Sequence, residues 1–203
     1  MDKKYGMALA LAAVGFCWTF STLAEHYFWI KITVTTCTLC AASFAFAGVP
    51  WHWTEVTLRE IFIGIAAAVL LYGIFWCGDF MSAKVFGFAP KQVEAIYAIR
   101  ELGNPWLIGT VLLLVTSPGE ELFWRGYVMK RASDLWGQPR GFAAGALFYS
   151  AAHLVTGNFM LVMAALVAGI FWCALYRWRG NLTACMVSHA LWTIGVFLLF
   201  PIR

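Results

Sequence analysis

The chain has 203 residues, of which 62% are hydrophobic and 12% charged, with a formal net charge of +4. Soluble domains carry about twice that charged fraction, so composition excludes a water-soluble fold and indicates one integral membrane domain. The Lys and Arg residues sit in short clusters between apolar stretches, as topology signals do, and form no nucleic-acid patch.

Apolar runs predict seven helices in an all-α, polytopic membrane bundle. The first, Tyr5–Ala24, follows a basic start, "MDKK". Thr22-Leu23-Ala24 has the form of a leader cleavage site. The apolar region is longer than the about 7–15 residues of a signal peptide, so a retained span is expected. The second, Phe28–Val49, holds Cys37 and Cys40 as a C-x-x-C among small residues. That setting suits close helix packing in lipid rather than redox chemistry. Cys17, Cys77, Cys173 and Cys185 also fall within or at the ends of apolar stretches, so no disulfide framework is expected. The third span is Ile61–Gly78. The polar interval Asp79–Asn104 then contains a short amphipathic helix, Lys91–Leu102, expected to lie on the membrane surface. Four more spans follow: Pro105–Met129, a short Gly141–Val155, Phe159–Tyr176 and Leu182–Pro201. No barrel-type alternation, internal repeat or second domain is visible. Residues 1–203 read as one domain, with 1–104 as accessory spans and 105–203 as the core that carries the polar residues.

The Lys/Arg bias sets the orientation. With the N-terminus inside, Lys3, Lys4, Arg59, Lys130, Arg131, Arg140, Arg177 and Arg179 are cytoplasmic, against Lys84, Lys91, Arg100 and Arg203 outside. A cell (inner) membrane protein with a cytoplasmic N-terminus is expected.

Three spans hold ionisable groups: Glu120, Glu121 and Arg125 in the fourth, His153 in the fifth, and His189 in the seventh. A central charge disfavours insertion by about 2.5–3.5 kcal/mol, so such residues mark sites by default. Counted from the nearest cytoplasmic cation, Glu120, His153 and His189 all lie roughly 15–20 Å deep. One shared level on three helices is what a single buried site requires. Glu121 and Arg125 are four apart and can pair on one helix face. Glu120 points about 100° away, with Trp124 as its i+4 neighbour, and has no cation in its own helix. A buried acid of that kind suits a general base. There is no H-E-x-x-H, G-x-S-x-G or P-loop pattern. Two acids and two histidines match zinc in type, though their spacing does not demand a metal.

"EELFWRG", "FYSAAHL" and "LYRWRGNLTACMVSHALWT" together resemble the core of the type II CAAX prenyl endopeptidases and bacteriocin-processing proteins, a family of glutamic intramembrane proteases. The resemblance runs from Ser117 to Thr193. The Glu-Glu-x-x-x-Arg motif is complete at Glu120, Glu121 and Arg125. In the Phe-x-x-x-His motif, Tyr149 stands four before His153, with Phe148 beside it. In the His-x-x-x-Asn motif, Thr193 stands four after His189 in place of Asn. The resemblance implies an intramembrane endopeptidase. Glu120 and His153 would activate a water, His189 with Thr193 would stabilise the oxyanion, and Glu121 with Arg125 would orient the site. Trp124, Phe148 and Tyr149 would contact the substrate, a membrane-anchored protein or peptide. No metal or other cofactor is implied. Two other readings remain open. One is a catalytically silent relative that binds a partner in the bilayer, which the Thr193 departure favours. The other is a proton-coupled transporter, although no matched broken helices appear in two halves. The sequence sets neither the substrate nor an oligomeric state.

Overall fold

The computed structural model describes residues 2–21 and 27–202. The candidate cleavage site at residues 22–24 lies outside these. The described residues are helical, with no strand. The helices are α1 (Lys3–Phe20), α2 (Phe28–Ala47), α3 (Leu58–Val85), α4 (Ala89–Tyr97), α5 (Pro105–Trp136), α6 (Gln138–Ala151), α7 (Phe159–Arg179) and α8 (Leu182–Leu199). Of these, α2, α3, α5, α7 and α8 are long and apolar enough to cross a membrane. The seven predicted spans thus become five that meet that criterion, plus α1 and α6. At 14 residues, α6 extends about 21 Å and falls short of a hydrocarbon core of about 30 Å.

Helix starts follow from short polar side chains. Asn104, Asn158 and Asn181 each precede a helix and accept from its first backbone N–H groups, at 2.9, 3.0 and 2.7 Å. Gly180, at φ +61°, closes α7 in the left-handed conformation and lets the chain turn into α8 within two residues.

Ion pairs and hydrogen bonds pin both ends of the bundle. At the N-terminal end, Arg131 Nε donates to Asp2 Oδ2 at 3.0 Å, and Arg179 Nε donates to Glu60 at 3.2 Å. At the opposite end, Asn158 Nδ2 donates to the Gln92 carbonyl at 2.8 Å, and Tyr72 Oη donates to the Phe200 carbonyl at 3.0 Å. The Asn158–Gln92 bond ties α4 to the start of α7, on the face opposite the N-terminus.

The long α5 is not regular. Pro118 has no N–H, and its ring clashes with the carbonyl four residues back. The turn before it widens over Leu112–Thr116, where Ser117 N bonds the Leu112 carbonyl. A second wide turn covers Trp124–Met129. The two acids lie on the regular turn between them. Gly119 allows α2 to approach closely: a Cβ there would stand 2.4 Å from Thr36 Cγ2. Cys40 Sγ donates to the Gly119 carbonyl at 3.3 Å, so this half of the C-x-x-C packs α2 on α5. All six cysteines are free thiols.

Candidate active site

Arg125 is the centre of the buried polar cluster and is fully enclosed, as is Glu121. Its Nη1 donates to Glu121 Oε1 at 2.9 Å, the i,i+4 pair expected from spacing. Its Nη2 donates to the Gly169 carbonyl of α7 at 3.3 Å. The guanidinium carbon lies 4.6 Å from the centre of the Tyr149 ring and 5.3 Å from that of Trp172. A buried cation is tolerable only with partners of this kind, and these stack it between two aromatic faces.

His189 comes from α8 to the same carboxylate. Its Nδ1 is 2.8 Å from Glu121 Oε1. Its ring stacks on Trp172 at 3.9 Å between centroids, and Trp172 is held in turn by a 3.2 Å bond from Nε1 to Ser188 Oγ. One carboxylate oxygen therefore serves both Arg125 and His189, while Glu121 Oε2 has no partner.

His153 stands just past the end of α6, two residues after Ala151, and not inside a helix as its run suggested. Its Nδ1 is 2.9 Å from the Tyr149 carbonyl. A carbonyl only accepts, so Nδ1 carries the proton and caps one of the orphan carbonyls of the helix end. That leaves Nε2 as an acceptor in the neutral ring. Phe16 and Phe20 of α1 flank the imidazole at 6.0 and 5.0 Å, with Tyr149 at 5.3 Å.

Glu120 is less buried than Glu121. It lies near the Tyr149 side chain and in the field of His189, Glu121 and Arg125. It borders a narrow gap with Phe16, Thr36 and Leu39. Trp124 is buried one turn on, edge-on to Tyr149 at 5.7 Å. Thr193 lies one turn beyond His189, its Oγ1 buried and without a partner. Phe148 is not brought to the cluster. It is 37% exposed on the outer side of α6, and Tyr149 takes the inner position.

The structure thus gathers Glu121, Arg125, His189 and Tyr149 in direct contact, with His153 on the Tyr149 carbonyl and Glu120 near the Tyr149 side chain. Among the described residues, no three His, Cys, Asp or Glu side chains are grouped closely enough to hold a metal ion. Sequence reasoning missed Trp172, Ser188, Gly169, Phe16 and Phe20. Ser188 adjoins His189 in the chain, but the others look like ordinary apolar or small residues of a span.

Residues 102–195 match the family model described as type II CAAX prenyl endopeptidase Rce1-like. This segment, somewhat under half of the chain, is similar to that family. No curated protein and no solved structure gave a match. The Rce1-like segment contains all of the clustered acids, histidines and Arg125, and it implies a protease embedded in the membrane.

Proposed function

We propose that the protein hydrolyses a peptide bond in a membrane-anchored protein or peptide, through a water activated by Glu120 and His153. The single observation that carries this is the arrangement around Tyr149. Its side chain lies near Glu120, and its carbonyl fixes His153 with Nε2 unprotonated. A water between them finds two proton acceptors, which leaves a lone pair free to attack a carbonyl carbon. The proton passes to Glu120 and then to the leaving amine, so no covalent enzyme intermediate forms. His189, held at Nδ1 by Glu121, turns Nε2 toward the developing oxyanion and donates to it when the ring is protonated. Thr193 is the second donor. Arg125 holds Glu121 and acts as a positioning residue. Residues 105–203 carry this machinery, and 1–104 supply the α1 aromatics that close over His153. The Lys/Arg bias favours a cytoplasmic N-terminus and the inner membrane.

The test is hydrolysis in ¹⁸O-water. Purified protein is incubated with a library of lipid-anchored peptides, and the new C-termini are read by mass spectrometry. The parent yields products carrying one ¹⁸O in the new carboxylate, and Glu120→Gln yields none above background. A Glu120→Gln protein as active as the parent, or a parent that gives no products, overturns the reading.

A further inference from the structure

Trp172 of α7 is fully enclosed. Its indole lies flat against the His189 imidazole of α8, with 3.9 Å between centroids and 20° between planes. One turn before Trp172, the Gly169 carbonyl accepts from Arg125. A Cβ at Gly169 would stand 3.2 Å from Tyr149 Cδ1, so the missing side chain lets Tyr149 and Trp172 close on the same guanidinium.

The indole is itself clamped. Its Nε1 donates to Ser188 Oγ at 3.2 Å, and the Trp172 carbonyl accepts from Cys185 Sγ at 3.7 Å. Tyr149 and Trp192 stand nearly perpendicular to it, at 6.3 and 5.7 Å between centroids. A ring held on so many sides is a fixed wall.

His189 needs such a wall. Its hydrogen bond to Glu121 is made at one atom, Nδ1. The χ2 torsion of histidine has a broad well, and a hydrogen bond tolerates about 30° from linear. The bond alone therefore lets the ring tip about the Nδ1–Oε1 contact and sweep Nε2 across the site. A flat stack removes that freedom, because tipping drives one edge of the imidazole into the indole. Together, a bond at Nδ1 and a plane against the ring set the direction of Nε2. Ser188, one residue before His189, ties the wall to the helix that carries the imidazole, so the two rings keep their register.

We propose that Trp172 is a positioning residue that sets the plane of the His189 ring and so aims Nε2 at the atom it serves. The proposal rests on the protease reading only for the identity of that atom, the developing oxyanion.

Two substitutions and a control test it. Trp172→Leu removes the aromatic wall and keeps apolar bulk. Trp172→Phe keeps a flat face and loses the bond to Ser188. Leu71→Ala opens a cavity at a fully enclosed residue of α3, a helix that gives no side chain to the cluster, and controls for general loosening. NMR of histidine-labelled full chain in nanodiscs reads the stack without any substrate. Stacked on an indole, the His189 ring protons resonate upfield, and His189→Gln identifies their signals. In Trp172→Leu they should move downfield, while the Nδ1 proton held by Glu121 keeps its own signal. Per folded protein, Trp172→Leu should lower kcat about 10²-fold with KM nearly unchanged. Trp172→Phe should recover most of that loss, and Leu71→Ala should keep the parental kcat. Should the leucine protein not fold, Trp172→Met, unbranched and adaptable, takes its place with the same expected result. Parental kcat without the aromatic face overturns the proposal, as do a Trp172→Phe protein as slow as Trp172→Leu and ring signals that ignore the loss of the indole. A parent that cleaves nothing while its ring signals follow this pattern would sink the protease reading and leave the positioning of His189 standing. Cleavage by the parent with kcat indifferent to Trp172→Leu would do the reverse.

Discussion

His189 and Glu121 meet at 2.8 Å across 68 residues of chain, on the carboxylate oxygen that Arg125 also holds at 2.9 Å. The second acid of the motif is therefore more than a counter-ion for arginine. It fixes the tautomer and direction of the imidazole proposed to face the oxyanion.

The two acids should separate cleanly on mutation. Glu121→Gln leaves a fully buried guanidinium without its counter-charge, which costs about 3–5 kcal/mol. Glu120 has no such partner, so Glu120→Gln should remain within about 1 kcal/mol of the parent. Thermal unfolding in one detergent, run side by side, checks both. Equal losses would mean that Glu120 also carries structural load.

His153→Gln should lower kcat by about 10²–10⁴, the usual range for a general base or its partner. Melting should change little, because a Gln amide still reaches the helix-end carbonyl. A variant with parental kcat would remove His153 from the mechanism.

Thr193 is short for an oxyanion donor and its hydroxyl has no partner. Thr193→Val keeps the shape and removes the O–H. It should lower kcat by about 10–10² with KM nearly unchanged, at or below the usual range for a lost oxyanion donor. Thr193→Asn extends the donor and should equal or exceed the parent. If Thr193→Val cleaves at the parental rate, His189 is the sole side-chain donor.

Gly119→Val should push α2 away from the acids, because a Cβ there would strike Thr36. Overpacking of this kind costs about 1–3 kcal/mol. Adding Thr36→Ala should restore most of it. Failure of that rescue would place the strain elsewhere than in the α2–α5 contact.

The hydrogen bond from Arg131 holds the Asp2 carboxyl below its ordinary range and moors α1, whose Phe16 and Phe20 cover His153. A carboxylate with a lowered folded pKa adds stability that is complete above the unfolded value, about 4, and is lost as pH falls through the folded one. Melting followed from pH 5 downward should show a shallow loss that Asp2→Asn abolishes. Salt should weaken the same effect, since the pair is near the surface. An identical acid profile in Asp2→Asn would assign the loss to other carboxylates.

The sequence by itself determined the membrane class, the helix boundaries to within a few residues at most ends, and the Glu121–Arg125 pair. Each is set locally: apolar run length by the thickness of the bilayer, and the ion pair by a spacing of four on one helix. It also singled out Glu120, His153 and His189, because ionisable groups in lipid are too unfavourable to be incidental. Only the tertiary structure decided that His189 reaches Glu121 and that the Tyr149 carbonyl fixes His153. Side-chain direction there depends on two wide turns that re-phase α5 around Pro118, and on how closely small residues such as Gly119 and Gly169 let helices approach. The place of Trp172 against His189 was likewise invisible in the chain. A tryptophan inside an apolar run reads the same whether it faces lipid or stacks on a histidine, and only the packing of α7 against α8 tells the two apart.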